Sequence, residues 1–218
     1  MDNALEGIKV LELASVLAGP LAGSALAMRG ATVTKVERPP HGDVTRTWRH
    51  PVESREGESS AYYASANVGK QVAWKDLGTP AGRDWLEQAL VEHDVLLENF
   101  KASDLVKFGL EPATLAQRHP HLVHVRLIGF AASPERLAYD VVVQAETGFM
   151  GMNGEAGQPP LRMPVALMDV LASHQIRAAV LEGLIGRMKG WSGCYAEVSL
   201  EGSGLSALVN QATNCLIN

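Results

Sequence analysis

Residues 8–36 read IKVLELASVLAGPLAGSALAMRGATVTKV, and the fold follows from this stretch. Residues 8–13 are a short apolar run of strand length. Pro20 opens a small-residue segment, PLAGSALAMRG, that reads as a helix stopped by Gly30. Residues 31–36 form a β-branched run that returns as a second strand, parallel to the first by the usual right-handed crossover. The glycines and alanines between the two strands let that helix lie close against a sheet.

The same alternation continues outward. Residues 38–61 are rich in Pro, Gly, Arg and His without periodicity and read as a long loop. Residues 71–74 predict a strand. Thr79-Pro80 is a cap and first-turn pair for a helix running to about Val91. A strand over 94–97 leads into Glu98-Asn99-Phe100, then a short helix over 104–108 is closed by Gly109. Pro112 begins another helix, ending near Arg118, and residues 122–128 predict a strand. Residues 140–148 read as helical and the glycine-rich stretch to Pro160 as a loop. The longest helical pattern covers 167–188, with Val170, Leu171, Val180, Leu181, Leu184 and Ile185 on one apolar stripe. A last strand over 195–200 is followed by helix. This order predicts an α/β protein with a parallel, doubly wound sheet.

Composition narrows the function. The 218 residues are 46% hydrophobic and 20% charged, as expected of a globular domain with a sizeable core. The formal charge of -5 leaves no basic footprint for nucleic acid. Two cysteines, Cys194 and Cys215, do not make a disulfide framework and fit a reducing compartment. MDNALEGIKVLEL lacks a basic and an apolar signal region, and no apolar run is long enough to cross a membrane. The expectation is a cytoplasmic protein without a membrane partner.

Several chemistries lack their residues. The turn after the first strand, residues 14–20, is ASVLAGP rather than G-x-G-x-x-G, which argues against a dinucleotide-dependent dehydrogenase despite Glu37 at the second strand's end. His119, His121 and His124 cluster, but no Cys or carboxylate spacing completes a metal set, and RHPHLVH reads as a surface turn between helix and strand. Gly202-Ser203-Gly204 is not a hydrolase elbow.

Five separated segments, in order, resemble the class III CoA-transferases (the CaiB/BaiF family). They are residues 5–43, LEGIKVLELASVLAGPLAGSALAMRGATVTKVERPPHGD; Asn67 to Lys70, NVGK; residues 95–110, VLLENFKASDLVKFGL; Ala138-Tyr139-Asp140 with the stretch to Ala172; and SGCYAEVSL at 192–200. The resemblance implies a Rossmann-like parallel sheet with flanking helices. It places residues 1–218 as the N-terminal portion of the family's large domain, without the small domain and the C-terminal return.

The resemblance also implies chemistry. In the family an ionised aspartate exchanges acyl groups and CoA through an anhydride and an aspartyl-CoA thioester, and Asp169 stands at its position. Read alone, an aspartate opening the 167–188 helix is an ordinary cap; the helix's positive end would keep it ionised. Asp140 matches an acid that helps position the catalytic carboxylate, and read alone caps the helix that follows it. Coenzyme A or acyl-CoA is then a substrate, with no metal. Arg38 matches a phosphate- or adenine-side arginine. Asn67, Lys70, Asn99, Phe100 and Lys101 match CoA-contacting positions. Lys107 and Phe108 match a basic and an apolar residue near the nucleotide, and Ser15, Val16 and Leu17 match the turn near the thioester.

Two departures shape the expectation. Leu17 stands where some relatives carry Gln, which points away from an oxalate/formate pair towards a less polar acyl group. Tyr139 stands where the family's α-methylacyl-CoA racemases use histidine, and a phenol is a poor proton acceptor near neutral pH. A CoA-transferase acting on an acyl-CoA and a carboxylic acid therefore leads over a racemase. The partners implied are an interlinked homodimer or a heteromer with a chain carrying the C-terminal half, the present chain then being a CoA-binding subunit completed by it.

Overall fold

The computed structural model describes residues 3–53 and 59–217. Among them, six strands form one sheet: β1 (Lys9–Glu12), β2 (Thr32–Glu37), β3 (Gln71–Trp74), β4 (Val95–Glu98), β5 (Val123–Ile128) and β6 (Cys194–Ser199). All pairings are parallel, in the order β3-β2-β1-β4-β5-β6. The helices are α1 (Ala18–Ala27), α2 (Ala61–Ala66), α3 (Pro80–Glu92), α4 (Ala102–Phe108), α5 (Pro112–Arg118), α6 (Asp140–Glu146), α7 (Phe149–Met152), α8 (Leu167–Met188), α9 (Leu200–Ser206) and α10 (Val209–Ile217).

Side chains alternate across a strand, so each strand feeds two cores. On one face Val10, Val33, Val95, Leu97, Val123 and Val125 pack with Ala18, Ala22 and Leu26 of α1 and with Met168, Ala172, Ile176 and Val180 of α8. On the other, Leu11 and Leu96 meet Leu86 and Leu90 of α3, Leu105 of α4 and Leu115 of α5. The parallel doubly wound sheet read from the sequence is therefore the observed one.

The element ends follow their local chemistry. Thr79 Oγ1 accepts from Gly82 N at 3.0 Å, capping α3. Gly109 closes α4 at φ +66°, a left-handed position that glycine takes without strain.

Three readings need correction. The loop expected over 38–61 contains a 3₁₀ helix, Val44–Thr47, capped by Asp43, and its last residue, Ala61, opens α2; residues 54–58 of that loop lie outside the described residues. Polar side chains, not apolar periodicity, order this stretch: Thr45 N and Oγ1 donate to Asp43 at 3.0 and 2.7 Å, and Ser60 Oγ donates to Thr45 O at 2.6 Å. The glycine-rich stretch contains the single-turn helix α7. RHPHLVH is not a surface turn throughout, because His119 and His124 are buried, within 2.9 Å of Glu87 and 3.2 Å of Glu98.

Small residues in α1 bring it onto the strands. A Cβ on Gly23 would overlap Glu12 Oε2, a fully buried atom with nowhere to move. Gly23→Ala is expected to cost about 1–3 kcal/mol, measured by denaturant unfolding. Gly151→Ala, where a Cβ meets nothing within 4 Å, should leave stability unchanged.

Candidate active site

The strand order reverses direction between β1 and β4, and in open α/β sheets ligands bind beyond the strand ends at such a switch point. Here the two chain exits are tied together. Asn99, just after β4, donates through Nδ2 to Ser15 O and accepts Ser15 N–H at Oδ1, both at 3.1 Å. Lys35 Nζ donates to Ala14 O at 2.8 Å. Val16 has φ +73°, costly for a β-branched residue by about 1–3 kcal/mol, and its N–H donates to Asp43 Oδ2 at 3.2 Å.

A buried ion cluster underlies this turn. Glu12 and Lys35 are register partners on β1 and β2, with side chains 0% and 1% exposed and 3.2 Å apart. Lys35 also lies 3.1 Å from Asp43. Burial works against the Lys35 ammonium, but Glu12 and Asp43 prevail and hold it above the usual lysine range. Burial likewise opposes the Asp43 carboxylate, which Lys35 and the Thr45 donors nevertheless hold below the usual range.

Two cavities flank the turn and share Ser15 and Phe100 in their walls. The first, about 240 Å³, offers Arg38, Lys75 and Lys107 as cations around Phe100 and Phe108, whose rings are 5.2 Å apart. Arg38 is 77% exposed at its side chain, 3.3 Å from Asp76. Lys107 Nζ lies 5.2 Å from the Phe108 ring centroid, and the wall also carries Glu37, Asp43 and Asp76; a cation beside an aromatic face suits a phosphorylated, planar group. The second, about 170 Å³, is lined by Val16, Leu17, Asn99, Lys101, Arg136, Tyr139, Asp140 and Asp169 among others.

Asp169 sits in the first turn of α8, and the N–H of Ala18, the first residue of α1, faces its carboxyl and favours the anion. It is not the cap of α8. Asp140 is: its Oδ2 accepts Met168 N at 2.6 Å and Asp169 N at 3.2 Å. Asp140 therefore caps α8 rather than its own helix α6, which corrects the cap expected from the sequence. Gln144, itself buried, donates to Asp140 Oδ1 and accepts Met163 N at 2.8 Å.

The expectation that the helix start keeps Asp169 ionised does not hold across the acid range. Burial foremost, then the Asp140 charge, push its carboxyl up to about 7 against the lowering effect of the Ala18 N–H. Tyr62 is nearby: burial and the charges of Asp169, Asp140 and Asp43 raise its hydroxyl.

Of the expected ligand residues, Ser15, Val16, Leu17, Arg38, Asn99, Phe100, Lys101, Lys107 and Phe108 line the two cavities. Asn67 and Lys70 line neither and have other work. The Lys70 side chain is 0% exposed, 2.8 Å from Glu12 Oε2, and its Nζ donates to Glu12 Oε1, Pro20 O, Ala66 O and Asn67 Oδ1. With its hydrogen-bonding capacity filled by protein oxygens, it anchors α1 and α2 to β1 instead of reaching a ligand. Glu12, Lys35 and Asp43 were missed as site residues. A signal existed in the charged residues inside two apolar strands, LEL and TKV. Among the described residues, no group of three or more His, Cys, Asp or Glu side chains is placed to hold a metal ion, and no helix is long and apolar enough to cross a membrane.

Comparison with known proteins gives the family. The model of CoA-transferase family III matches residues 5–218. A succinate–glutarate CoA-transferase of Agrobacterium fabrum is 39% identical over 98% of the chain and 55% of its own length. The human succinyl-CoA:glutarate CoA-transferase is 34% identical over 98% of the chain and 49% of its length. A crystal structure of a CaiB/BaiF family protein from Brucella suis, 36% identical, superposes with a TM-score of 0.92 over all of the chain and 58% of that protein. The chain belongs to CoA-transferase family III. It spans about half the length of the curated relatives it matches.

The raised carboxyl fixes a pH dependence. Between the ordinary aspartate range and about 7, the folded state keeps a proton that the unfolded chain releases, so folding weakens as pH rises through that window. Asp169→Asn should raise the melting temperature at pH 8 and match the wild type near pH 4. Lys70→Met, which takes one cation from buried Glu12, should cost on the order of 3–5 kcal/mol in chemical denaturation.

Proposed function

We propose that the protein transfers CoA from an acyl-CoA to a carboxylic acid with Asp169 as nucleophile. The observation that carries this reading is a carboxylate at the meeting point of two helix N-termini, in one of two cavities that share a wall. The first cavity takes the nucleotide of CoA between Phe100 and Phe108, with Arg38 and Lys107 at its phosphates. The pantetheine arm passes Ser15 and Phe100, which brings the thioester to Asp169.

The ionised Asp169 oxygen attacks the thioester carbonyl, the C–S bond breaks, and CoA thiolate leaves as the acyl–aspartyl anhydride forms. The thiolate then attacks the aspartyl carbonyl, releasing the donor acid and leaving an aspartyl-CoA thioester. The acceptor carboxylate attacks that thioester, forming a second anhydride and freeing CoA thiolate. Attack of the thiolate on the acceptor's carbonyl gives the new acyl-CoA and restores Asp169. Each step passes the activation from one carboxyl derivative to another, so a direct exchange is divided into smaller acyl transfers and none is lost to water. The N–H of Ala18 faces the carboxyl where oxyanions develop. Its elevated basicity makes ionised Asp169 a stronger nucleophile than an ordinary aspartate.

The relatives named for succinate and glutarate support short dicarboxylic acids as the substrate class. Leu17 lies along the methylene spacer in this reading, and Lys101 or Arg136 faces the distal carboxylate. The protein works as a homodimer or with a chain supplying the C-terminal half. Proton removal α to the thioester would need a second base, and the group lining the cavity next to Asp140 is the Tyr139 phenol, a poor acceptor at neutral pH.

Incubating the protein with succinyl-CoA and then hydroxylamine should leave a hydroxamate on the peptide carrying Asp169, found by mass spectrometry. Asp169→Ala should abolish both the label and transfer. Loss of α-hydrogen to solvent with no label would overturn the transferase reading. The rate should fall along an acid limb centred near the carboxyl's value of about 7, because the protonated form is not a nucleophile.

A further inference from the structure

We propose that Asp43 is a positioning residue for this chemistry, clamping the Val16 turn so that the Ala18 N–H is presented to Asp169. The inference rests on the reading of Asp169 as the nucleophile.

Three consecutive residues of the turn are each held by a different element: Ala14 O by Lys35, Ser15 N and O by Asn99, and Val16 N by Asp43. Only the last hold opposes the backbone's own preference. A valine at φ +73° relaxes to negative φ when released, and such a rotation turns the peptide planes leading to Ala18. Two residues on, Ala18 shares a cavity wall with Asp169, and its N–H lowers that carboxyl.

Asp43 is built to resist this. Its Oδ1 accepts Thr45 N and Thr45 Oγ1, and its Oδ2 accepts Val16 N and lies 3.1 Å from Lys35 Nζ. Its own N–H donates to Glu37 Oε2 at 2.9 Å. Glu37 is held in turn by Arg46 at 2.6 and 2.9 Å and by the Tyr63 hydroxyl at 2.5 Å. A group that only balanced Lys35 would not need a fixed backbone donor on each side. The clamp explains how a β-branched residue occupies a position that glycine would take without strain.

The test is a double-mutant cycle of Asp43→Asn and Val16→Gly in the intact protein, with two readouts. The first is the titration of Asp169 followed by carboxyl-carbon NMR, which needs no turnover; Asp140 and Tyr62 face Asp169 and are unchanged in every variant. The second is kcat and KM for CoA transfer. Asp43→Asn should move the Asp169 midpoint upward, because the Ala18 donor is lost, and lower kcat on the order of 10²-fold. In the Val16→Gly background both effects should shrink to a small fraction, since glycine holds positive φ unaided. Equal effects of Asp43→Asn in the two backgrounds, or an unmoved Asp169 midpoint, would overturn the clamp. If Asp43→Asn does not fold, Thr45→Val removes one donor while keeping the Lys35 pair, and should show a smaller shift in the same direction, again suppressed by Val16→Gly. A wild type that transfers no CoA strikes the functional reading, while the titration still decides the clamp.

Discussion

The structure turns on a cluster of opposite charges sealed under the first strand. Glu12, Lys35, Asp43 and Lys70 carry two charges of each sign, and the Glu12 and Lys35 side chains are essentially without solvent. Removing four charges from water is costly, and the cost is offset only where every partner is in place. That condition ties four separate pieces of chain to one another: β1, β2, the 3₁₀ turn and the junction of α2 with β3. A cluster of this kind is a poor source of net stability and a good source of register, because a one-residue slip of β1 against β2 would part Glu12 from Lys35.

The end of the molecule around Asp169 shows the opposite balance. Asp169 has a backbone donor from one helix and lies in the first turn of another, both of which favour the anion. Burial and the neighbouring Asp140 still outweigh them. The result is a carboxyl that titrates near neutrality, more basic than a surface aspartate and still available as an anion above its midpoint. Asp140 contributes in two ways, by capping α8 and by the charge it sets beside Asp169, so geometry and basicity at this site come from one side chain.

The sheet was legible because its information is local. Apolar runs of four to six residues, capped helices such as Thr79-Pro80 and glycine stops such as Gly109 announce themselves within a short window. Asp169, Asp140 and the cavity positions that fall inside the ordered motifs were named through those motifs, not through their own surroundings; Lys75 and Arg136, which lie outside them, were not named. What was not legible depended on distant partners. Nothing near Lys70 says that its ammonium finishes on Glu12 and Pro20, and its motif suggested a ligand contact. Residues 43–47 have no periodicity because polar side chains order them, and Asp140 joins a helix 28 positions away. Glu12 and Lys35 alone carried a readable hint, being charges where an apolar strand leaves no room for them.

Helix α8 is gripped at both ends by glycines. Near Asp169, Met168 packs against Gly204 of α9; at the far end, Gly183 admits Val123 and Cys194, and Gly186 admits the ring of Trp191. A helix of 22 residues is about 33 Å long and stiff along its axis. It behaves as a strut with two fixed seats: its length sets how far the carboxylate stands from the sheet's outer edge at β6. A bulge at either seat would displace the whole rod, so the placement of the Asp169 carboxyl is set partly by packing at Gly186, about 25 Å away along the helix.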